Sequence, residues 1–278
     1  MRLRLLAVTA AALALLAAPA LAGPFAPVWG VTPGVDPPGV NPASCALTAA
    51  HPVPVVLVHG TWLDRSVSWN VLGPKLAADG YCVYSLDYGR RGTQPVADSA
   101  GELAAFVDQV LARTGAARVS IVGHSQGGMM PRQYIKFDGG LGKVDDLIGI
   151  APSNHGSTGS FGQYAAQYGD SPAAADQEAG SPFLTNLNAG DETPQPATGP
   201  QISYTNLETS HDEIVTPYSS AFLAGASGEV TNVLLQDRCP ADAFEHILLT
   251  DDPVVVQWVE NALASPGPAD PAFAPLCG

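Results

Sequence analysis

The chain has 278 residues, 46% of them hydrophobic and 14% charged, and its 12 Lys+Arg against 26 Asp+Glu give a net charge of −14. So large an apolar share excludes a disordered chain, and the acidic balance leaves no basic surface to neutralise phosphates, which puts nucleic acid at the bottom of the list of partners. The 29 Gly and 25 Pro predict long irregular connections, without the period of a collagenous chain.

In chain order, Arg2 and Arg4 precede an apolar run from Leu5 to Ala18, and Ala20-Leu-Ala22 ends it with small residues. This is the pattern of a secretory signal peptide over residues 1–22, shorter than the roughly 20 apolar residues of a membrane span. No later stretch has that length free of charge and Pro, so a secreted, extracellular protein with no stable membrane span is expected. Residues 23–44 are dense in Pro and Gly and read as an extended N-terminal arm, fraying or lying on the surface. A domain over 45–278 follows.

Export also governs the cysteines. Cys45, Cys82, Cys239 and Cys277 lack C-x-x-C spacing and a paired His pattern, which counts against a metal site and for two disulfides. Three pairings are open. The sequence-local one closes two loops of similar length, each contributing about 4 kcal/mol on a chain-entropy argument.

Val53 to His59 is a continuous apolar run, the mark of a strand buried on both faces, and Gly60 ends it. A helix is predicted from Ser99 to Gly115: Ser99 and Glu102 have capping-box spacing, Leu103, Phe106, Val107, Val110 and Leu111 share one face, and Gly115 is the C-cap. Arg118 to Gly123 is a second buried strand, Gln126 to Phe137 a helix and Asp146 to Ala151 a third strand. Pro131 should kink that helix or cost it one hydrogen bond. Alternating strands and helices mean an α/β fold with a mostly parallel sheet and helices on both faces. Residues from about 153 to 200 lose all periodicity and form a cap or binding wall. Strands at Ile202 to Leu207 and Val230 to Leu235 follow, then a closing helix with Pro253 at its first position.

Gly123-His-Ser-Gln-Gly127 fits G-x-S-x-G between a buried strand and a helix, the context in which a strained turn exposes a serine hydroxyl at the C-terminal edge of a sheet. Ser125 is therefore the candidate nucleophile. A serine needs a histidine base and a carboxylate to orient it, following in the order acid, then histidine. After Ser125 only His155, His211 and His246 are available. His155 lies in the loop after the third strand and His211 directly precedes Asp212, which leaves His246. Asp212, just past the Ile202 to Leu207 strand, is the candidate acid, with Glu213 as runner-up. The backbone N–H groups of Thr61 and Gln126 are the candidate oxyanion donors, and the Thr61 hydroxyl could add a third.

Val55-Val-Leu-Val-His-Gly-Thr61, Gly123-His-Ser-Gln-Gly-Gly-Met-Met130, Lys143-Val-Asp-Asp-Leu147, Ala151-Pro-Ser-Asn-His-Gly156 and Asp212-Glu-Ile-Val-Thr-Pro217 together resemble the class-2 secreted bacterial triacylglycerol lipases and, more distantly, fungal lipase B. The resemblance implies an α/β-hydrolase fold, a triad of Ser125, Asp212 and His246, an oxyanion hole at Thr61 and Gln126, and disulfides Cys45–Cys82 and Cys239–Cys277. The expectation is a secreted esterase or lipase acting on neutral lipid esters through an acyl-enzyme, as a monomer, without cofactor or metal. The alternatives are an acyltransferase or polyester depolymerase with the same triad, or an inert lipid-binding protein.

Overall fold

The computed structural model describes residues 34–159 and 171–278. The predicted leader, half of the arm (23–33) and residues 160–170 of the wall lie outside them. Six strands, β1 (Val55–Val58), β2 (Val83–Leu86), β3 (Val119–His124), β4 (Val144–Ile150), β5 (Ser203–Glu208) and β6 (Val230–Leu234), form one sheet in the order β2-β1-β3-β4-β5-β6. Every pairing is parallel. This is an α/β-hydrolase sheet.

Both faces of the central strands are covered, which is why β1, Val-Val-Leu-Val, is apolar without alternation. On one face Val56, Val58, Tyr84 and Ile121 pack with Leu103, Val107, Met129 and Met130. Leu103 and Val107 lie on α4 (Val96–Thr114), and the two methionines on α5 (Gln126–Phe137). On the other face Val55, Leu57, Val83, Val122 and Ile148 pack with Leu72, Leu76, Val255, Trp258 and Val259. These come from α2 (Leu72–Ala78) and the closing helix α8 (Pro253–Ala264). The short helix α1 (Arg65–Ser68) precedes α2, and a four-residue turn, α3 (Gly89–Gly92), follows β2.

The closing helix starts as expected: Pro253 occupies its first turn and the Asp252 side chain accepts from Val254 N–H. One expectation needs correction. The helix α4 begins at Val96, so Ser99 and Glu102 do not form a capping box. The Val96 N–H instead donates to Asp176 Oδ2 at 2.9 Å, while Glu102 Oε2 accepts from Gly89 N–H. Gly115 does cap the other end, at φ 72°. The helix α5 runs unbroken through Pro131, and of the two expected consequences the lost hydrogen bond applies. What is lost is the one bond an imino nitrogen cannot donate, to the Gly127 carbonyl.

The part of the arm that the structure describes is tied down along the sheet edge. Strand β2, which the sequence analysis did not identify, is an edge strand, and Asn41 completes its open side. The Asn41 backbone N–H donates to Val83 O, its side-chain amide donates to Ser85 O, and its Oδ1 accepts from Ser85 N–H. One asparagine thus stands in for a neighbouring strand. The disulfide Cys45–Cys82 anchors the same edge, and Cys239–Cys277 ties the loop after β6 to the C-terminus.

Among the described residues of the 153–200 segment are two short helices, α6 (Pro172–Asp176) and α7 (Pro182–Asn188), whose N-cap serines Ser171 and Ser181 accept from Ala174 and Leu184 N–H. Ala173, Leu184 and Leu187 anchor them on the core.

Candidate active site

Strand β3 ends in His124, and Ser125 follows at φ 56°, ψ −124°, before α5 begins at Gln126. A left-handed backbone at a residue with a Cβ is strained, and here the surrounding glycines make it attainable. A Cβ on Gly123 would lie 1.8 Å from Gly127 O, and one on Gly127 would lie 2.1 Å from Val58 O. The glycines of the motif are thus required by the closeness with which α5 passes β3 and β1. The Ser125 N–H donates to Ile150 O at 2.9 Å, fixing the turn to β4.

Asp212 and His246 are joined directly: His246 Nδ1 and Asp212 Oδ2 are 2.6 Å apart, with both side chains buried. Asp212 lies just past β5, and its other oxygen accepts from the N–H groups of Ile214 and Val215, each at 2.7 Å. Burial by itself would raise this carboxyl. The charge and bond of His246 and the two N–H donors outweigh it and hold Asp212 below the ordinary carboxylate range. His246 opens a 3-10 turn, His246–Thr250, in the loop between β6 and α8. Its carbonyl bonds His124 Nε2 at 2.9 Å, and the two rings stand 4.9 Å apart. The histidine of the pair therefore packs on the residue immediately before Ser125. His124 is itself fully buried, and burial together with the neighbouring His246 lowers it to about 3, so it is a neutral prop.

Glu213 is exposed and accepts the His246 backbone N–H at 3.4 Å. His155 is engaged elsewhere, with Ser220 O and Glu192 Oε1, and His211 is exposed.

Thr61 follows the His59-Gly60 turn at the end of β1, facing the Ser125 turn: a Cβ on Gly60 would come 3.1 Å from Ser125 Cβ. Two glutamines converge on its hydroxyl. Gln126 Nε2 donates to Thr61 Oγ1 at 2.9 Å and to Gly92 O at 2.8 Å, and Gln177 Nε2 donates to the same Oγ1 at 2.9 Å and to Ala173 O at 2.9 Å. The carbonyl oxygens of Gly92 and Ala173 only accept, so both amides must present N–H groups. With both acceptor positions of the hydroxyl filled, its one proton is left for a third acceptor. The sequence analysis missed Gln177, which sits in an alanine-rich stretch with no local pattern; only contact across 116 residues reveals it.

Behind this loop is a left-handed turn. Gly89, Arg90, Arg91 and Gly92 all have positive φ, between 49° and 66°. It holds the chain beyond Thr61, because Trp62 N–H donates to Arg91 O at 2.7 Å, and the preceding Tyr88 hydroxyl donates to His59 O at 2.7 Å. Among the described residues no cluster of His, Cys, Asp and Glu is suited to a metal ion.

Residues 52–259 match the family described as Lipase (class 2). The chain is 35% identical over 115 residues to a triacylglycerol lipase of Burkholderia plantarii, covering 39% of this chain and 31% of that protein. To a triacylglycerol lipase of Pseudarthrobacter phenanthrenivorans it is 38% identical over 90 residues, 30% of this chain and 28% of the other. The matched segments span about a third of the length of these relatives. Among solved structures, Aspergillus fumigatus lipase B superposes with a TM-score of 0.71 at 23% identity, covering 83% of this chain and 57% of that one. Bacillus licheniformis lipase BlEst2 in its propeptide form gives a TM-score of 0.60 at 18% identity, over 87% and 56%. These likenesses are of fold. With more than half of its length matched to the family, the chain belongs to the class 2 lipases.

Proposed function

We propose that the protein is a serine hydrolase of carboxylic esters, with lipid esters of the triacylglycerol type as substrates. The observation that carries this reading is the 2.6 Å bond between His246 and Asp212, made where the His246 ring packs on His124, the residue before the strained Ser125. Ser125 Oγ attacks the ester carbonyl as its proton passes to His246 Nε2, the ring nitrogen facing away from Asp212. Asp212 holds the tautomer and stabilises the imidazolium. The backbone N–H groups of Thr61 and Gln126 stabilise the oxyanion, and the Thr61 hydroxyl supplies a third donor. His246 then returns the proton to the leaving alcohol. A water, deprotonated by the same base, cleaves the acyl-enzyme and restores the serine.

The chemistry uses only protein groups, so no cofactor is required, and the chain acts as a monomer. Secretion fits the two disulfides, which persist in oxidising compartments. Among the described residues no helix is long and apolar enough to cross a membrane.

The test is to label the protein with a fluorophosphonate and map the adduct, beside assays on p-nitrophenyl esters from acetate to palmitate and on emulsified triglyceride. Attachment at Ser125, with turnover abolished in Ser125→Ala and far-UV circular dichroism unchanged, is the expected result. An adduct on another residue, or none, defeats the assignment. Products formed in the presence of competing alcohols separate hydrolysis from acyl transfer.

A further inference from the structure

A second carboxyl group lies behind Asp212, and the reaction sequence above gives it no task. Glu208, the last residue of β5, is fully buried. Its Oε1 accepts from the N–H of Thr209 at 2.8 Å, and its Oε2 is buried with no hydrogen-bond donor directed at it. A buried carboxylate oxygen without a donor is costly, while a carboxylic acid in the same place is not, because its O–H becomes the donor. The neighbour able to receive that proton is Asp212, four residues on, where the chain turns back through the Asp212 N–H to Thr209 O bond.

We propose that Glu208 is a positioning residue, a neutral carboxylic acid whose O–H donates to the Asp212 carboxylate and steadies it. The inference rests on the reading of Asp212 and His246 as acid and base. Asp212 then accepts from the His246 ring, from Ile214 and Val215 N–H, and from Glu208, and its single negative charge is shared among four donors.

The charged surroundings agree. Burial pushes Glu208 well above the usual carboxylate range, and the charged groups acting on it, Asp212 and Glu213 from the loop after β5, push it further in that direction. The strand on its other side offers Leu234 as its pairing partner, with no charge.

Two variants and two measurements test the proposal. Glu208→Gln keeps the shape and an N–H donor for Asp212, and Glu208→Leu removes the donor. Infrared difference spectra at about pH 8, above the values of about 7 and about 6 to which burial raises Asp146 and Asp252, should show a protonated carboxyl stretch in the wild-type protein that Glu208→Gln lacks. This readout requires no turnover. In the pH profile of kcat/KM, Glu208→Leu should shift the acid limb to higher pH, because a less shared Asp212 charge makes His246 more basic. It should also lower kcat about tenfold, the effect of about 1.4 kcal/mol. Glu208→Gln should retain the wild-type limb. Identical infrared spectra for wild type and Glu208→Gln, or an unshifted acid limb in Glu208→Leu, overturn the proposal. Failure of a fluorophosphonate to label Ser125 would instead strike at the catalytic reading, with the infrared result still deciding the protonation of Glu208.

Discussion

Gln177 and Thr61 meet through a 2.9 Å hydrogen bond between residues 116 positions apart, one in the wall segment and the other at the end of β1. Because Gln126 occupies the other acceptor position of the same hydroxyl, the pair decides where the Thr61 proton can point.

Gln177→Leu should therefore lower kcat about tenfold with KM little changed, since the interaction it supports strengthens only as the oxyanion forms. Thr61→Val should cost about a hundredfold. In the Thr61→Val background Gln177→Leu should add almost nothing, because there is no hydroxyl left to orient. A double-mutant cycle on kcat measures this, and additive losses would show that Gln177 does not act through the Thr61 hydroxyl.

Asp212→Asn keeps the shape of the acid and removes its charge, which would leave His246 in the wrong tautomer. We expect kcat to fall about a thousandfold or more. Stability should respond as well. The folded-state value of Asp212 is depressed, so its contribution is present above the ordinary carboxylate range and is lost as pH falls through the folded value. Denaturant titrations of the two proteins should diverge at neutral pH and converge in acid.

Asp146 makes the opposite prediction. It is buried in β4 and bonded to Ser120 Oγ at 2.7 Å, and burial outweighs that bond to raise it to about 7. The native protein thus keeps a proton that the unfolded chain releases near pH 4, and stability falls as pH rises between about 4 and 7. Asp146→Asn should melt at the wild-type temperature near pH 4 and be more stable by up to about 4 kcal/mol at pH 8. Parallel melting curves at both values would refute it.

Gly127→Ala tests the packing beneath Ser125. A methyl 2.1 Å from Val58 O cannot be accommodated without moving α5 away from β1. Destabilisation of more than about 3 kcal/mol and loss of serine labelling are expected. Gly101→Ala, in the exposed middle of α4 with open space around its Cα, should instead be neutral or slightly stabilising, by up to about 1 kcal/mol.

The parts of the fold legible in the sequence are those whose determinants are local. Strands β1, β3 and β4 announce themselves through buried apolar stretches, β5 and β6 through short β-branched and aromatic stretches between turns, and Gly123-His-Ser-Gln-Gly127 announces its turn because only glycine tolerates the backbone contacts there. Strand β2 did not, since four residues with Ser85 among them carry too little pattern, and its pairing is completed by Asn41 from 44 positions away. The start of α4 was misread for the same reason: its first N–H is satisfied by Asp176, 80 residues later. Residue types and chain order were enough to single out Ser125, Asp212 and His246 as candidates. The 2.6 Å bond between His246 and Asp212, the two amides on Thr61 and the buried carboxyl of Glu208 came only from the folded chain, because hydrogen bonds depend on distances of a few ångströms that sequence separation does not encode.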